Sequence, residues 1–179
     1  MAQHNSRTPV SDRDSWRTPP WLFEWLDDRF DFHVDLAADA DNALCSMCFT
    51  KETDALAHNW HDMDNATKGF LNPPYSYIDP WCEKVILEQQ YGFLTVMVMP
   101  SFNGEERFDR VFRHASEIID IVGRVAFLTP DGREVKGNTR GTSVYIFDPA
   151  RRGAGAHRWW VMRDQLIHVY APRAAKECA

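Results

Sequence analysis

The sequence predicts an α/β fold in which a mostly parallel sheet carries helices on both faces, and three observations point to it. Strand-length apolar segments alternate with helix-patterned segments from Trp21 to Val122. The run Phe93 to Met99, bounded by Gly92 and Pro100, is nearly continuously apolar, as suits a strand buried on both faces. Gly69-Phe70-Leu71 reads as the end of a short buried strand and leads directly into Asn72-Pro73-Pro74-Tyr75. That is where an open α/β sheet presents its binding crevice.

The elements follow in order. Residues 1–16 are polar and lack periodicity, so we expect a flexible leader, with one folded domain from 17 to 179. Thr18 is a natural N-cap with Pro19 at the first helical position, and Trp21, Leu22, Trp25 and Leu26 recur on one helical face. Phe32 to Ala37 reads as a strand, with a helical piece expected from Asn42. Asp79-Pro80 repeats the cap-then-proline signature and opens a helix to about Gln90, with Trp81, Val85 and Ile86 inward. Gly104 to His114 is helix-patterned, and Glu117 to Val122 is a strand. Arg124 to Leu128 and Thr142 to Phe147 are strand-like around a Gly/Pro/Asp-rich connection, which predicts a C-terminal β-hairpin with a long, partly basic loop. Arg158 to Met162 and Leu166 to Tyr170 add strand or helix, and pattern alone does not choose between them.

With 179 residues, 44% of them hydrophobic, the chain has enough apolar surface for one sizeable core and is short for two. The N-terminus is polar and the longest apolar run is of strand length, so we expect a soluble, intracellular protein without a membrane span. Cys45, Cys48, His58 and His61 have a zinc-like order, but the gaps after Cys48 are too short for a zinc finger, and no metal is expected. Residues 1–80 carry 6 Lys and Arg against 14 Asp and Glu, whereas residues 141–179 carry 6 against 3. An acidic first half suits a cationic cofactor. The later basic side chains Arg133, Lys136, Arg140, Arg151, Arg152 and Arg158 are candidates for phosphate contact.

The candidate catalytic residues are Asn72, Pro73, Pro74 and Tyr75. An exocyclic amine such as adenine N6 is a poor nucleophile because its lone pair is delocalised into the ring. The Asn72 side-chain oxygen and the Pro73 carbonyl can each accept one of its N–H groups, which localises the lone pair and stabilises the charge that develops on attack. The prolines have fixed φ and no amide hydrogen, so the loop keeps its carbonyls free of a ladder. Tyr75 offers a ring face to an extruded base and to the sulfonium of a methyl donor. Trp60 and Phe102 are candidates to cover that base. The tetrapeptide equally fits an RNA adenine or a protein glutamine amide as acceptor, and an inactive nucleic-acid-binding relative is a third class.

The order of these pieces resembles that of the phage-type DNA N6-adenine methyltransferases, which are S-adenosylmethionine-dependent amino-methyltransferases of Rossmann-like fold. Arg17-Thr18-Pro19-Pro20-Trp21 resembles the element that packs over the methionine part of the cofactor. Asp35-Leu36-Ala37-Ala38-Asp39 with Asn42-Ala43 resembles the first cofactor motif, although alanines stand where many methyltransferases have glycines. Thr53-Asp54-Ala55-Leu56 with Trp60 resembles the segment whose acidic residue accepts the cofactor's adenine amino group. The resemblance implies cofactor contacts from Thr18, Pro19, Asp35, Ala37, Asp54, Ala55 and Asn72. It also implies double-stranded DNA as partner and, for a phage-encoded enzyme, a place in the host cytoplasm. Both it and the intact loop favour methylation of adenine N6 in DNA over the other readings.

Overall fold

The computed structural model describes residues 14–101, 109–135 and 140–177. Its centre is a seven-stranded sheet in the order β2-β1-β3-β4-β6-β5-β7. The strands are β1 (Val34–Asp35), β2 (Met47–Cys48), β3 (Lys68–Leu71), β4 (Leu94–Pro100), β5 (Glu117–Val122), β6 (Thr142–Phe147) and β7 (His157–Met162). Neighbours pair in parallel except at β6, which runs antiparallel to both β4 and β5. The chain goes from β1 outward to β2 and returns to the other side of β1 for β3, so the strand order reverses between β1 and β3. A reversal of this kind opens a crevice at the carboxyl ends of the two strands.

Strand alternation explains the two cores. Phe70, Val96, Val98, Ile119, Val144 and Ile146 point to one face, where they meet Leu22, Phe23 and Leu26 of helix α1 (Pro20–Phe30). Leu71, Met97, Met99, Ile118, Tyr145 and Phe147 point to the other, against Ile78, Trp81, Val85 and Ile86 of α2 (Ile78–Gln90) and Val111 of α3 (Asp109–His114). The registers Val96 with Ile146 and Met97 with Tyr145 keep each set in one layer. Helix α4 (Arg163–Glu177) follows β7 directly. The C-terminal segments left open by pattern are therefore a strand and then a helix. Among the described residues no helix is long and apolar enough to cross a membrane.

Several local expectations are corrected. Helix α1 starts one residue later than its cap signature suggests: Pro19 is the N-cap, Pro20 is the first helical residue, and no side chain caps it, while Thr18 is buried. No helix forms from Asn42; that stretch is turns leading into β2. Residues 124–128 do not pair with β6 as a hairpin. Leu128 makes isolated bridges to Arg17 and Glu134, and β6 pairs with β5 and inserts between it and β4. Two partners satisfy both edges of β6, and a hairpin would satisfy one. The expected leader and the helical stretch Gly104 to Phe108 lie outside the described residues up to 13 and between 102 and 108 respectively, but Asp14 to Trp16 are described and touch the body.

Gly69, in β3, lies against the side chains of Leu36 and Phe93. A Cβ there would stand 2.6 Å from Leu36 Cδ1 and 2.9 Å from Phe93 Cε1, both in the buried core. Overpacking of this kind costs about 1–3 kcal/mol. Gly69→Ala is therefore expected to lower Tm by roughly 3–10 °C in a thermal melt. An unchanged melt would mean that Leu36 repacks freely.

Candidate active site

Asn72 follows β3 and Asp35 ends β1, so the two stand side by side at the crevice, with Asp35 paired to Phe70 in register. The Tyr75 hydroxyl donates to Asn72 Oδ1 at 2.9 Å, and Asn72 Nδ2 donates to the Trp16 carbonyl at 3.3 Å. The carboxamide is thus gripped at both ends, and its oxygen retains a second lone pair for an incoming N–H. Burial pushes the Tyr75 phenol well above its ordinary pKa, which keeps the hydroxyl a donor at neutral pH. Pro73 is buried, and the Pro74 carbonyl accepts from the Tyr77 amide at 3.2 Å, starting the turn into α2.

An aromatic wall stands beside this loop. Trp16 stacks on Phe127 with centroids 6.4 Å apart and 22° between planes, and Tyr75 meets Phe127 edge-on at 6.4 Å and 85°. The sequence reading missed Trp16 because it lies in the polar leader, 56 residues from Asn72. Trp60, in contrast, is core: it is 0% exposed, and its Nε1 donates to the Ala55 carbonyl at 2.8 Å. It cannot cover a base. Phe102 lies outside the described residues.

At the end of β1, Asp35 is 3% exposed. Its two oxygens accept from the Ala37 amide at 3.2 Å and the Leu44 amide at 3.1 Å, so it pins both ends of the turn after β1. Burial raises its pKa, opposed by those two amides. Ala37 lies on this turn, with Asp39 exposed beyond it. Asp54 is exposed at φ 42°, and its carboxylate caps the single turn Ala55–Ala57 by accepting from the Leu56 amide at 3.2 Å. Ala55 is buried, and Thr18 and Pro19 are buried at the entry to α1. Both acidic loops follow parallel strands, so they lie at the same end of the sheet as Asn72.

Residues 5–168 match the family model described as DNA N-6-adenine-methyltransferase (Dam). The chain belongs to this family. It is an adenine-specific DNA methyltransferase. The chain is similar to the DNA N-6-adenine-methyltransferase of Escherichia phage T1, with 28% identity over 165 residues, covering 83% of this chain and 68% of the phage protein. It is also similar to that of Haemophilus phage HP1 (strain HP1c1), with 29% identity over 149 residues, covering 80% and 84% of the two chains.

The basic side chains of the methyltransferase divide between two ends of the sheet. Arg140 precedes β6 and Arg133, 2.6 Å from Asp131, lies on the loop after β5, both at the end that holds Asn72. Lys136 lies outside the described residues. Arg151 and Arg152 follow β6, and because β6 is antiparallel they emerge at the opposite end. A six-residue strand is roughly 20 Å long at 3.3–3.4 Å per residue. Arg158 is held by Asp120 through contacts of 2.7 and 3.1 Å. Among the described residues no three His, Cys, Asp or Glu side chains converge as a metal site, and burial, then Asp35, pushes the Cys45 thiol up to about 12.

Proposed function

We propose that the enzyme transfers a methyl group from S-adenosylmethionine to adenine N6 in duplex DNA, with the Asn72 loop as its catalytic centre. The observation that carries this is the Asn72 carboxamide, fixed at the strand-order reversal with an oxygen available to a target amine. In this reading Asn72 Oδ1 and the Pro73 carbonyl accept the two amine N–H groups, and Tyr75, Phe127 and Trp16 enclose an extruded base. Pro74 closes the loop by holding Tyr77 and leaves the Pro73 carbonyl to the substrate.

The residues after β1 and β2 fit the cofactor. Exposed Asp39 and Asp54 suit a cationic ligand and its hydroxyl and amino groups, while the alanines at 37 and 38 keep the turn narrow. Asp35 shapes that turn, buried Ala55 opens the single turn that Asp54 caps, and Thr18 and Pro19, buried at the start of α1, complete the cofactor contacts in this reading. When bound, the cofactor supplies an electrophilic methyl. Asn72 holds the amine against it, so catalysis comes from placement and from hydrogen bonds that strengthen as charge develops.

DNA approaches the end of the sheet that holds Asn72, where Arg133 and Arg140 contact phosphates; Lys136, outside the described residues, is kept as a phosphate contact on its charge alone. Arg151 and Arg152, at the far end, are excluded from that footprint unless the duplex wraps the edge. In this reading the reaction takes place in the cytoplasm, which for a phage-encoded enzyme is that of the host cell, where duplex DNA is available. The test is transfer of labelled methyl from S-adenosylmethionine to unmodified duplex DNA, followed by nucleoside mass analysis. N6-methyladenine is the expected product; labelled RNA or protein under the same conditions, with DNA unlabelled, would overturn the assignment.

A further inference from the structure

Residues 14–18 cross the front of the catalytic loop and are attached to three separate loops. The Asp14 carboxylate accepts from the Ser76 amide at 3.0 Å and also from the Ser76 hydroxyl. The Trp16 carbonyl accepts from Asn72 Nδ2 at 3.3 Å. The Arg17 amide donates to the Leu128 carbonyl at 2.8 Å, the Arg17 carbonyl accepts from the Leu128 amide at 2.9 Å, and the Arg17 guanidinium pairs with Asp41 at 2.7 Å. Ser76 is the residue next to Tyr75, so Asp14 holds the strap to the same few residues whose geometry the reaction needs.

A carboxamide has two nearly isosteric orientations, and only one of them turns its oxygen toward a target amine. Tyr75 does not choose between them, since a hydroxyl both donates and accepts. The Trp16 carbonyl does choose, because it can only accept and so must face Nδ2. We propose that Asp14 is a positioning residue for Asn72: by clamping Ser76 it seats the strap so that the Trp16 carbonyl fixes the carboxamide with its oxygen inward. The same arrangement makes position 72 selective for asparagine. Aspartate there would set a carboxylate oxygen against the Trp16 carbonyl oxygen, with no proton between them.

This inference rests on Asn72 being the amine acceptor. The experiment measures the single-turnover methylation rate of the full chain on duplex DNA at saturating S-adenosylmethionine, with cofactor affinity by calorimetry and Tm in parallel. Asp14→Ala is expected to slow the single-turnover rate about tenfold, the scale of a small misplacement of a reacting group. Cofactor affinity and Tm stay at the wild-type values. Asp14→Asn keeps an oxygen that can accept from the Ser76 amide and recovers most of the rate, which a requirement for charge would not allow. Ser76→Ala shows a smaller loss in the same direction, and the Asp14→Ala, Ser76→Ala double variant is no slower than Asp14→Ala alone, since both remove one clamp. An Asp14→Ala rate within twofold of wild type overturns the proposal. So does a rate loss matched by weaker cofactor binding or a lower Tm, or an Asp14→Asn protein as slow as Asp14→Ala. If Asp14→Ala fails to fold, the Ser76→Ala rate decides in its place. Retention of activity by Asn72→Ala would sink the catalytic assignment itself; an inactive Asn72→Ala beside an unaffected Asp14→Ala sinks only this inference.

Discussion

Asn72→Ala is expected to lower the methylation rate by on the order of 10²–10³-fold, the usual effect of deleting one preorganised group that stabilises developing charge. The truncation removes the oxygen that, in the proposed mechanism, accepts the target N–H, and also the Nδ2 that ties the loop to Trp16. It removes no core volume, since Asn72 is only half-buried, so folding should survive. Cofactor affinity should change little, because the turn after β1 is organised by Asp35 through Ala37 and Leu44 and not by Asn72. The decisive comparison is rate against affinity in the same protein: a lost rate with retained binding places Asn72 in the chemical step. Equal loss of both would move it to cofactor binding, and an unchanged rate would remove it from the reaction.

Glu88→Gln should have the largest effect on stability. Glu88 is 0% exposed, and its carboxylate receives Lys84 Nζ at 2.7 Å, the His61 amide at 3.0 Å and His61 Nδ1 at 2.7 Å. Lys84 is itself largely buried and lies 5.5 Å from the Trp60 ring centroid. Neutralising the carboxylate leaves that ammonium without its counter-charge, and breaking a buried pair from one side costs about 3–5 kcal/mol. Tm is expected to fall by roughly 6–20 °C. The effect reaches the proposed cofactor loop because the Trp60 indole donates to the carbonyl of Ala55, the residue next to Asp54. Cofactor affinity should therefore fall about tenfold, equivalent to 1.4 kcal/mol. A variant that melts and binds like wild type would show that Lys84 and the segment 60–61 find other partners.

The same cluster sets an acid limit. Burial raises the pKa of Glu88, but hydrogen bonds from Lys84 and His61 outweigh it and hold the net value below the ordinary glutamate range; Glu117, with Arg29 and Trp159, and Asp120, with Arg158 and Ser143, behave alike. A carboxyl whose folded pKa is depressed binds its proton more weakly in the folded state. Its stabilisation is complete above the unfolded value of about 4.3 for glutamate and 3.9 for aspartate, and is lost as pH falls through the folded pKa. Tryptophan fluorescence is expected to report unfolding only below about pH 4. Glu88→Gln should show a weaker acid dependence, since one of the linked groups is gone.

What the sequence by itself determined is local. The alternation of strand and helix, the buried character of β4, the inward face of α2 and the position of Asn72 just after a strand all follow from patterns within about fifteen residues, where periodicity and proline geometry act directly. The tertiary structure decided what depends on the path between distant segments. Only the crossing of the chain brings the Trp16 carbonyl to Asn72, and only the pairing of β6 antiparallel to β4 sends Arg151 and Arg152 to the end away from the site. Trp60 and Asp35 show the same division. Their residue types suit a ligand pocket, but burial and the Ala55, Ala37 and Leu44 backbone groups engage their polar atoms within the fold. The reason is physical: propensity and spacing act along the chain, whereas burial and hydrogen-bond partnership are set by register and by which segment arrives from elsewhere.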